Sequence, residues 1–255
     1  MSDSIIAFQG VEYHISTRNE GNRAILRGVS CDIHRGETIA LLGRSGSGKT
    51  TLLKLINRLR EPSGGNVYIN GKSAREWDLI QLRRSIGYVI QEVGLFPHRT
   101  VAENVCLLPR LEKWAEVKVA QRFEEVMHLI GLSPGEYASR YPRELSGGQR
   151  QRIGVARALA LDPAILLMDE PFGALDPVTR AEIQREFAAL AKRVCKTVVL
   201  VTHDVREALL LGSRIALLDD GRLVASATPQ EFLRLEHPVA RQFLAASELK
   251  AGVDA

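Results

Sequence analysis

Apolar residues along this chain fall into two textures. In residues 5–91 they come as short runs punctuated by turns. Residues 37–42 read as a buried strand entering a glycine-rich stretch, and residues 66–69 as a strand closed by the tight-turn pair Asn70-Gly71. Residues 86–90 read as a further strand, ending at Gln91. Leu52, Leu53, Leu55 and Ile56 suit a helix packed on its apolar side. From Gln91 to about Leu161 the spacing becomes helical: Val119, Phe123, Val126 and Ile130 recur at intervals of three and four. Ser133-Pro134-Gly135-Glu136 carries a capping Ser, a Pro at the first helical position and a Glu three residues on.

After Pro163 the strand texture returns. Residues 164–168 form a continuous apolar strand, and Asp176-Pro177 starts a helix with Ile183, Phe187, Leu190 and Val194 on one face. Residues 197–201 and 214–218 are two more strands, Asp220-Gly221 turns a hairpin, and Thr228-Pro229-Gln230-Glu231 caps a C-terminal helix. Strands alternating with helices predict an α/β fold whose largely parallel sheet is covered on both faces. The helical stretch reads as a subdomain inserted into that core.

Composition narrows the class. An apolar fraction of 45% and a charged fraction of 25% over 255 residues are those of a globular protein with a substantial core. The net charge is only +4, and its nearest basic cluster, Arg150, Arg152 and Arg157, falls within one predicted helix. That pattern reads as a solvated face or a phosphate or partner contact rather than a nucleic-acid footprint. Cys31, Cys106 and Cys195 are far apart and lack metal-ligand spacing, which predicts free thiols in a reducing compartment. Met1-Ser2-Asp3-Ser4 lacks the basic start and apolar stretch expected of a signal peptide, and no apolar run approaches the roughly 20 residues of a membrane span. Any membrane connection is therefore expected through a partner.

Three segments carry chemistry. Gly43-Arg44-Ser45-Gly46-Ser47-Gly48-Lys49-Thr50 matches a phosphate-binding loop, with Thr51 beside it. Its glycines let backbone N–H groups point at phosphate oxygens, the following helix adds its positive end, Lys49 reaches the outer phosphates, and the Thr50 hydroxyl can ligate Mg²⁺. The apolar strand ending in Asp169-Glu170 offers one carboxylate to hold Mg²⁺ through water and a second to polarise an attacking water. In Leu145-Ser146-Gly147-Gly148-Gln149, a Ser and two glycines at a helix start make a second anion-binding nest.

Taken in order, the Gly43–Thr50 loop, Gln91, the 145–149 segment, Asp169-Glu170, Ala174-Leu175-Asp176 and Thr202-His203-Asp204 resemble the motif set of an ABC ATPase, over nearly the whole chain. The resemblance implies a P-loop core with an N-terminal antiparallel β portion and an inserted α-helical subdomain. It places a single ABC ATPase domain at 1–245, with core 1–91 and 162–228, helical subdomain about 92–161, and C-terminal helices and a short tail at 229–255. It further implies that Gln91 senses the γ-phosphate and Mg²⁺, and that Ser146, Gly147, Gly148 and Gln149 bind ATP held by a second copy in a head-to-tail dimer. Asp176 would cross that interface, and His203 would contact the γ-phosphate and orient the water. The family stacks adenine on an aromatic residue that spacing places at Ile15; Tyr13, two positions early, is the aromatic available, and core packing is the other role open to it.

Finer likenesses in residues 55–59, 87–91, 94–98, 109–111 and Trp114 are similar to importers of quaternary-amine osmoprotectants such as glycine betaine or choline. Importers of amino acids or sulfonates, and more remotely a soluble non-transport ABC ATPase, are the alternatives. The implied partners are ATP, transmembrane permease subunits and, indirectly, a solute-binding protein, with no nucleic acid. The implied place is the cytoplasmic face of the membrane. Residues 91–105, with apolar Val93, Leu95 and Phe96, are expected to seat the membrane subunit. Two helices, 229–235 and about 238–249, and the tail 250–255 are expected to add no osmotic sensor, so that salt acts on hydrolysis through screening alone.

Overall fold

Two 14-residue antiparallel strands, β1 (Ser4–Thr17) and β2 (Gly21–His34), open the chain where the sequence suggests only short runs. Irregularities hide their length. A strand period of two would send Phe8, Gly10 and Glu12 to one face. A register shift between Phe8 and Val11 changes the parity, so Val11 is buried and Glu12 exposed. Next come β3 (Thr38–Gly43), α1 (Lys49–Ile56), β4 (Gly64–Ile69) and β5 (Lys72–Ser73). The Asn70-Gly71 turn between the last two has φ of 51° and 74°, both left-handed as a primed hairpin turn requires. The four antiparallel strands lie in the order β2-β1-β4-β5.

This structure is a computed structural model that describes residues 4–17, 21–91 and 94–247. Two compact units divide the chain, residues 1–79 with 197–255 and residues 80–196. From the boundary onward lie α2 (Leu79–Arg84), β6 (Ile86–Val89), α3 (Val101–Val105), α4 (Leu107–Leu111), α5 (Glu116–Leu129), α6 (Pro134–Tyr137), α7 (Gly147–Leu159), β7 (Ile165–Asp169) and α8 (Pro177–Val194). Strands β6 and β7 pair in parallel, Ile86 opposite Ile165 and Val89 opposite Met168. All of β7 is buried, as its unbroken apolar run predicts. Helix α7 packs so closely on β6 that a Cβ at Gly87 would sit 2.6 Å from the Ala158 carbonyl oxygen. The predicted stripe of α5, Val119, Phe123 and Val126, is buried, as are Ile183, Phe187 and Leu190 of α8.

The chain then returns to the first unit through β8 (Thr197–Thr202), α9 (Val205–Leu211), β9 (Arg214–Asp219), β10 (Arg222–Ala227), α10 (Pro229–Leu233) and α11 (Pro238–Ala246). There β3 lies between β8 and β9 and runs parallel to both. Strand β10 folds back antiparallel on β9 through Asp220-Gly221. Ala40, Leu42, Val205, Ile215, Phe232 and Leu244 close a core under the last helices. A reciprocal bond pair between Thr228 and Glu231 caps α10, as that sequence signature predicts. Val93, the end of the predicted 238–249 helix and the tail 250–255 lie outside the described residues. The protein is thus mixed α/β, and among the described residues no helix is long and apolar enough to cross a membrane.

Candidate functional site

In the first unit, Gly43 ends β3 and Lys49 begins α1, so residues 44–48 are a bare strand-to-helix connection. Gly46 and Gly48 have φ of 81° and 100°, left-handed values open to glycine at little cost. A Cβ on Gly48 would also sit 2.7 Å from Leu26 Cδ2, and one on Gly43 would sit 2.4 Å from the Leu218 carbonyl oxygen. Arg44, Ser45 and Gly46 are exposed, while Ser47, Gly48 and Lys49 are buried. Lys49 Nζ donates to the carbonyls of Gly43 at 2.8 Å and Arg44 at 2.9 Å, which curls the ammonium under the loop. Ser47 Oγ is buried without a hydrogen-bond partner among the described residues. An orphaned hydroxyl beside a buried ammonium, at the N-terminal end of a helix, fits a phosphate.

The neighbours of this loop are in the same unit. Thr50 is half-buried, and Thr51 Oγ1 accepts from Arg60 at 3.4 Å. Arg44 hydrogen-bonds the Gln242 amide of α11. Tyr13, half-buried on β1, has the Arg60 guanidinium 5.2 Å from its ring centroid. One face of the ring therefore meets a cation. His203 is exposed just beyond β8. The turn that presents it is fixed on both sides: Asp204 N–H donates to Thr202 Oγ1 at 2.9 Å, and Asp204 caps α9 by accepting from Arg206 N–H at 2.8 Å.

In the second unit, β7 delivers Asp169 buried and Glu170 half-buried. Tyr88 on β6 donates its hydroxyl to Asp169 Oδ2 at 3.5 Å. Burial, and then the Asp169 carboxylate, push the Tyr88 phenol well above its ordinary range. Glu170 has φ of 45°, a conformation seldom adopted by a residue with a Cβ, and it breaks the strand at the residue proposed for chemistry. Gln91 Nε2 donates to Glu170 Oε2 at 3.4 Å. Beyond Glu170, the Arg180 guanidinium gathers the carbonyls of Phe172 at 3.1 Å and Leu175 at 2.9 Å. Asp176 then caps α8 by accepting from Thr179 N–H at 3.0 Å, and these backbone donors hold its carboxyl below the usual range.

The Ser-Gly-Gly nest lies in this unit too. Ser146 Oγ accepts from Gln149 N–H at 3.2 Å, and Gln149 Oε1 accepts from Ser146 N–H at 2.9 Å, a reciprocal cap on the 13-residue α7. Gln149 Nε2 also donates to the Tyr137 hydroxyl at 3.0 Å. Gly148 is buried against α8, where a Cβ would meet Thr179 Cγ2 at 3.0 Å. Ser146 stays exposed, with its hydroxyl proton available to an acceptor outside the helix. Sequence reasoning reached Ser146, Gln149, Asp169, Glu170 and Gln91 but missed Tyr88, Tyr137 and Arg180. Their roles depend on which strands and loops pair, and no local pattern carries that.

Among the described residues, no group of three or more His, Cys, Asp and Glu could hold a metal. The donors named from sequence, the Thr50 hydroxyl, the Gln91 amide and the Asp169 carboxylate, are hard oxygens with a single charge. That set suits Mg²⁺, which keeps several waters and shares its sphere with substrate phosphates.

Comparison with known proteins identifies the family. The ABC transporter family model matches residues 26–173. The glycine betaine/carnitine/choline transport ATP-binding protein OpuCA of Bacillus subtilis is 51% identical over 86% of this chain, which spans 58% of that relative's length. The glycine betaine uptake system ATP-binding protein YehX of Escherichia coli is 44% identical over 94% of this chain and 78% of its own. A solved dimer of the ATP-binding cassette MJ0796, in a post-hydrolysis state with ADP and Pi, superposes with a TM-score of 0.76 at 35% identity, over 88% of this chain and 98% of that one. This chain belongs to the ABC transporter family.

Proposed function

We propose that this chain is the ATP-binding and ATP-hydrolysing subunit of an importer for a small quaternary-amine osmoprotectant such as glycine betaine or choline. The observation that carries the reading is the likeness to OpuCA, at 51% identity over 86% of the chain. The complete set of phosphate-binding and water-activating side chains is consistent with it. A core of 1–91 and 162–228 with a helical subdomain at about 92–161 would form the cassette.

In this reading the backbone N–H groups of residues 43–48, with Ser45, Ser47 and Lys49, bind the triphosphate, and Thr50 and Thr51 lie at its base. The orphaned Ser47 hydroxyl gains an acceptor, and Lys49 exchanges carbonyl partners for phosphate oxygens. Thr50, Gln91 and, through water, Asp169 would hold Mg²⁺, which when bound draws charge from the phosphate oxygens. Glu170 accepts the proton of the attacking water, and Gln91 on its carboxylate keeps that oxygen aimed. His203 orients the same water. A second copy, arranged head to tail, lends Ser146, Gly147, Gly148, Gln149 and Asp176 to each site. The dimer would sit on the cytoplasmic face of the membrane, bound peripherally to permease subunits served by a solute-binding protein. Tyr13 stacks on adenine only by the ring face turned away from Arg60.

The test is reconstitution with the adjacently encoded membrane subunits in liposomes. ATP-dependent uptake of radiolabelled glycine betaine or choline, abolished by Lys49→Ala, is the expected result. Hydrolysis coupled instead to an amino acid or to taurine would overturn the solute assignment. Hydrolysis that no membrane subunit stimulates would overturn the transport reading.

A further inference from the structure

The Ser-Gly-Gly nest is held by a residue outside its own motif. At the start of α7 the Gln149 amide is bonded at both ends: Oε1 accepts from Ser146 N–H at 2.9 Å, and Nε2 donates to the Tyr137 hydroxyl at 3.0 Å. The first bond closes the cap, in which Gln149 N–H also donates to Ser146 Oγ at 3.2 Å. The cap spends the N–H groups of Ser146 and Gln149. It leaves those of Gly147 and Gly148, in the first turn, with no acceptor inside the helix. Ser146 itself is exposed and Gly147 half-buried, so water competes for the bond that holds them. The second bond, to a residue 12 positions upstream on another element, fixes the amide from behind.

An anchor positions its neighbour only if it is fixed itself, and Tyr137 is. It ends α6 and is 9% exposed. The Arg140 guanidinium lies 4.6 Å from its ring centroid, and Arg140 is tied in turn to Glu136 at 2.8 Å. The turn that follows is built into α3: Ala102 N–H donates to the Ala138 carbonyl at 3.0 Å, and Val101 N–H to the Arg140 carbonyl at 2.8 Å. Packing alone would ask only for the ring, whereas the hydroxyl meets the one amide that caps the nest. We propose that Tyr137 is a positioning residue for ATP hydrolysis: through Gln149 its hydroxyl aims the donors of residues 146–148 at the terminal phosphate. This inference rests on the proposed function, in which those donors serve the nucleotide of a second copy. Tyr137 touches no reacting atom, so its effect passes entirely through Gln149.

The experiment uses the full chain carrying Glu170→Gln, so that hydrolysis does not empty the closed dimer. Tyr137→Phe deletes one oxygen and keeps the ring. ATP should then leave the dimer about three- to tenfold faster, the range that one neutral hydrogen bond is worth. The side-chain amide resonance of Gln149 should shift in the same variant. In a Gln149→Met background, Tyr137→Phe should change release by less than about twofold, because the bond is already gone. The resonance is read on the nucleotide-free chain, so it decides the matter even if Gln149→Met forms no dimer. A Glu170→Gln parent that retains no ATP would remove the shared site, and this inference with it. A parent that retains ATP, beside a Tyr137→Phe variant that releases it equally slowly or leaves the Gln149 resonance in place, would overturn the inference alone. So would an undiminished effect of Tyr137→Phe in the Gln149→Met background, since Tyr137 would then act by another route.

Discussion

The hydroxyl of Tyr88 lies 3.5 Å from Asp169 Oδ2 and donates to it, which ties the last residue of β7 to the strand beside it. On the proposal that Asp169 holds Mg²⁺ through water, a group bonded to that carboxylate tunes metal affinity near the lower end of the usual range of about 10–100-fold. Tyr88→Phe should therefore raise the Mg²⁺ concentration for half-maximal hydrolysis about tenfold. Between pH 6 and 9 the profile should not change shape, because the phenol is protonated throughout. The sign at high pH is fixed as well. The folded pKa is raised above the unfolded value of about 10, so the contribution of Tyr88 is complete below that pH and is lost as pH rises beyond it. Thermal midpoints measured from pH 8 to 11 should fall less steeply in Tyr88→Phe than in the wild type. A steeper fall in the variant would reverse the assignment.

Glu170 is held in a left-handed backbone conformation with Gln91 on its carboxylate. Glu170→Gln keeps the shape and removes the base. Single-turnover phosphate release should drop by about a hundredfold or more while ATP affinity is retained. Gln91→Ala should lower turnover less and leave the pH dependence of hydrolysis in place, since it positions the carboxylate and carries no proton. Near-normal release by Glu170→Gln would remove this residue from the chemistry.

Local patterns read much of this protein. The strand expected at 197–201 is Thr197–Thr202, the helix start at Asp176-Pro177 is a true cap, and the phosphate loop sits between β3 and α1. Such features depend on a few consecutive residues, where periodicity and capping chemistry act directly. The length of β1 and β2 was hidden by the parity change between Phe8 and Val11, which breaks the alternation that sequence reasoning follows. The bond between Tyr88 and Asp169 was hidden for another reason. It exists only because β6 pairs with β7, and the intervening residues carry no sign of that register.

Asn104 is fully buried on α3 and works as a staple for the preceding loop. Its Oδ1 accepts from Phe96 N–H at 2.8 Å, and its Nδ2 donates to the carbonyls of Phe96 at 3.2 Å, Arg99 at 3.1 Å and Thr100 at 2.9 Å. Asn104→Ala should cost about 1–3 kcal/mol, the scale of leaving buried backbone groups unpaired. Hydrogen exchange at Phe96 should quicken while that of β7 stays slow. Phe96 itself is 40% exposed on this loop, which we propose seats a membrane subunit. On the proposed importer reading, Phe96→Asp should uncouple uptake from hydrolysis after reconstitution, with nucleotide affinity unchanged. Full uptake by that variant would show that the partner sits elsewhere.

Shared sites make a demand that mixing can test. The phosphate loop, with Lys49, lies in the first unit, and Ser146 heads a helix in the second, each with donors for a phosphate. If Ser146 serves the nucleotide of the other copy, chains carrying Lys49→Ala and chains carrying Ser146→Arg complement each other once per mixed dimer. The intact Lys49 of one chain then meets the intact Ser146 of the other, while the opposite site has lost both. With Glu170→Gln in every chain to suppress turnover, neither variant alone should retain nucleotide through gel filtration. Each mixed dimer should retain one slowly released ATP, and a photoreactive ATP analogue should label only the chain with intact Lys49. Ser146 adds donors at a helix N-terminus, so the closed site should release nucleotide far more slowly than an open phosphate loop. If each chain bound its own ATP through its own Ser146, both variants would fail alone and fail together. Silence from the mixture, with each variant folded and the Glu170→Gln parent retaining two ATP per dimer, would therefore count against head-to-tail sharing.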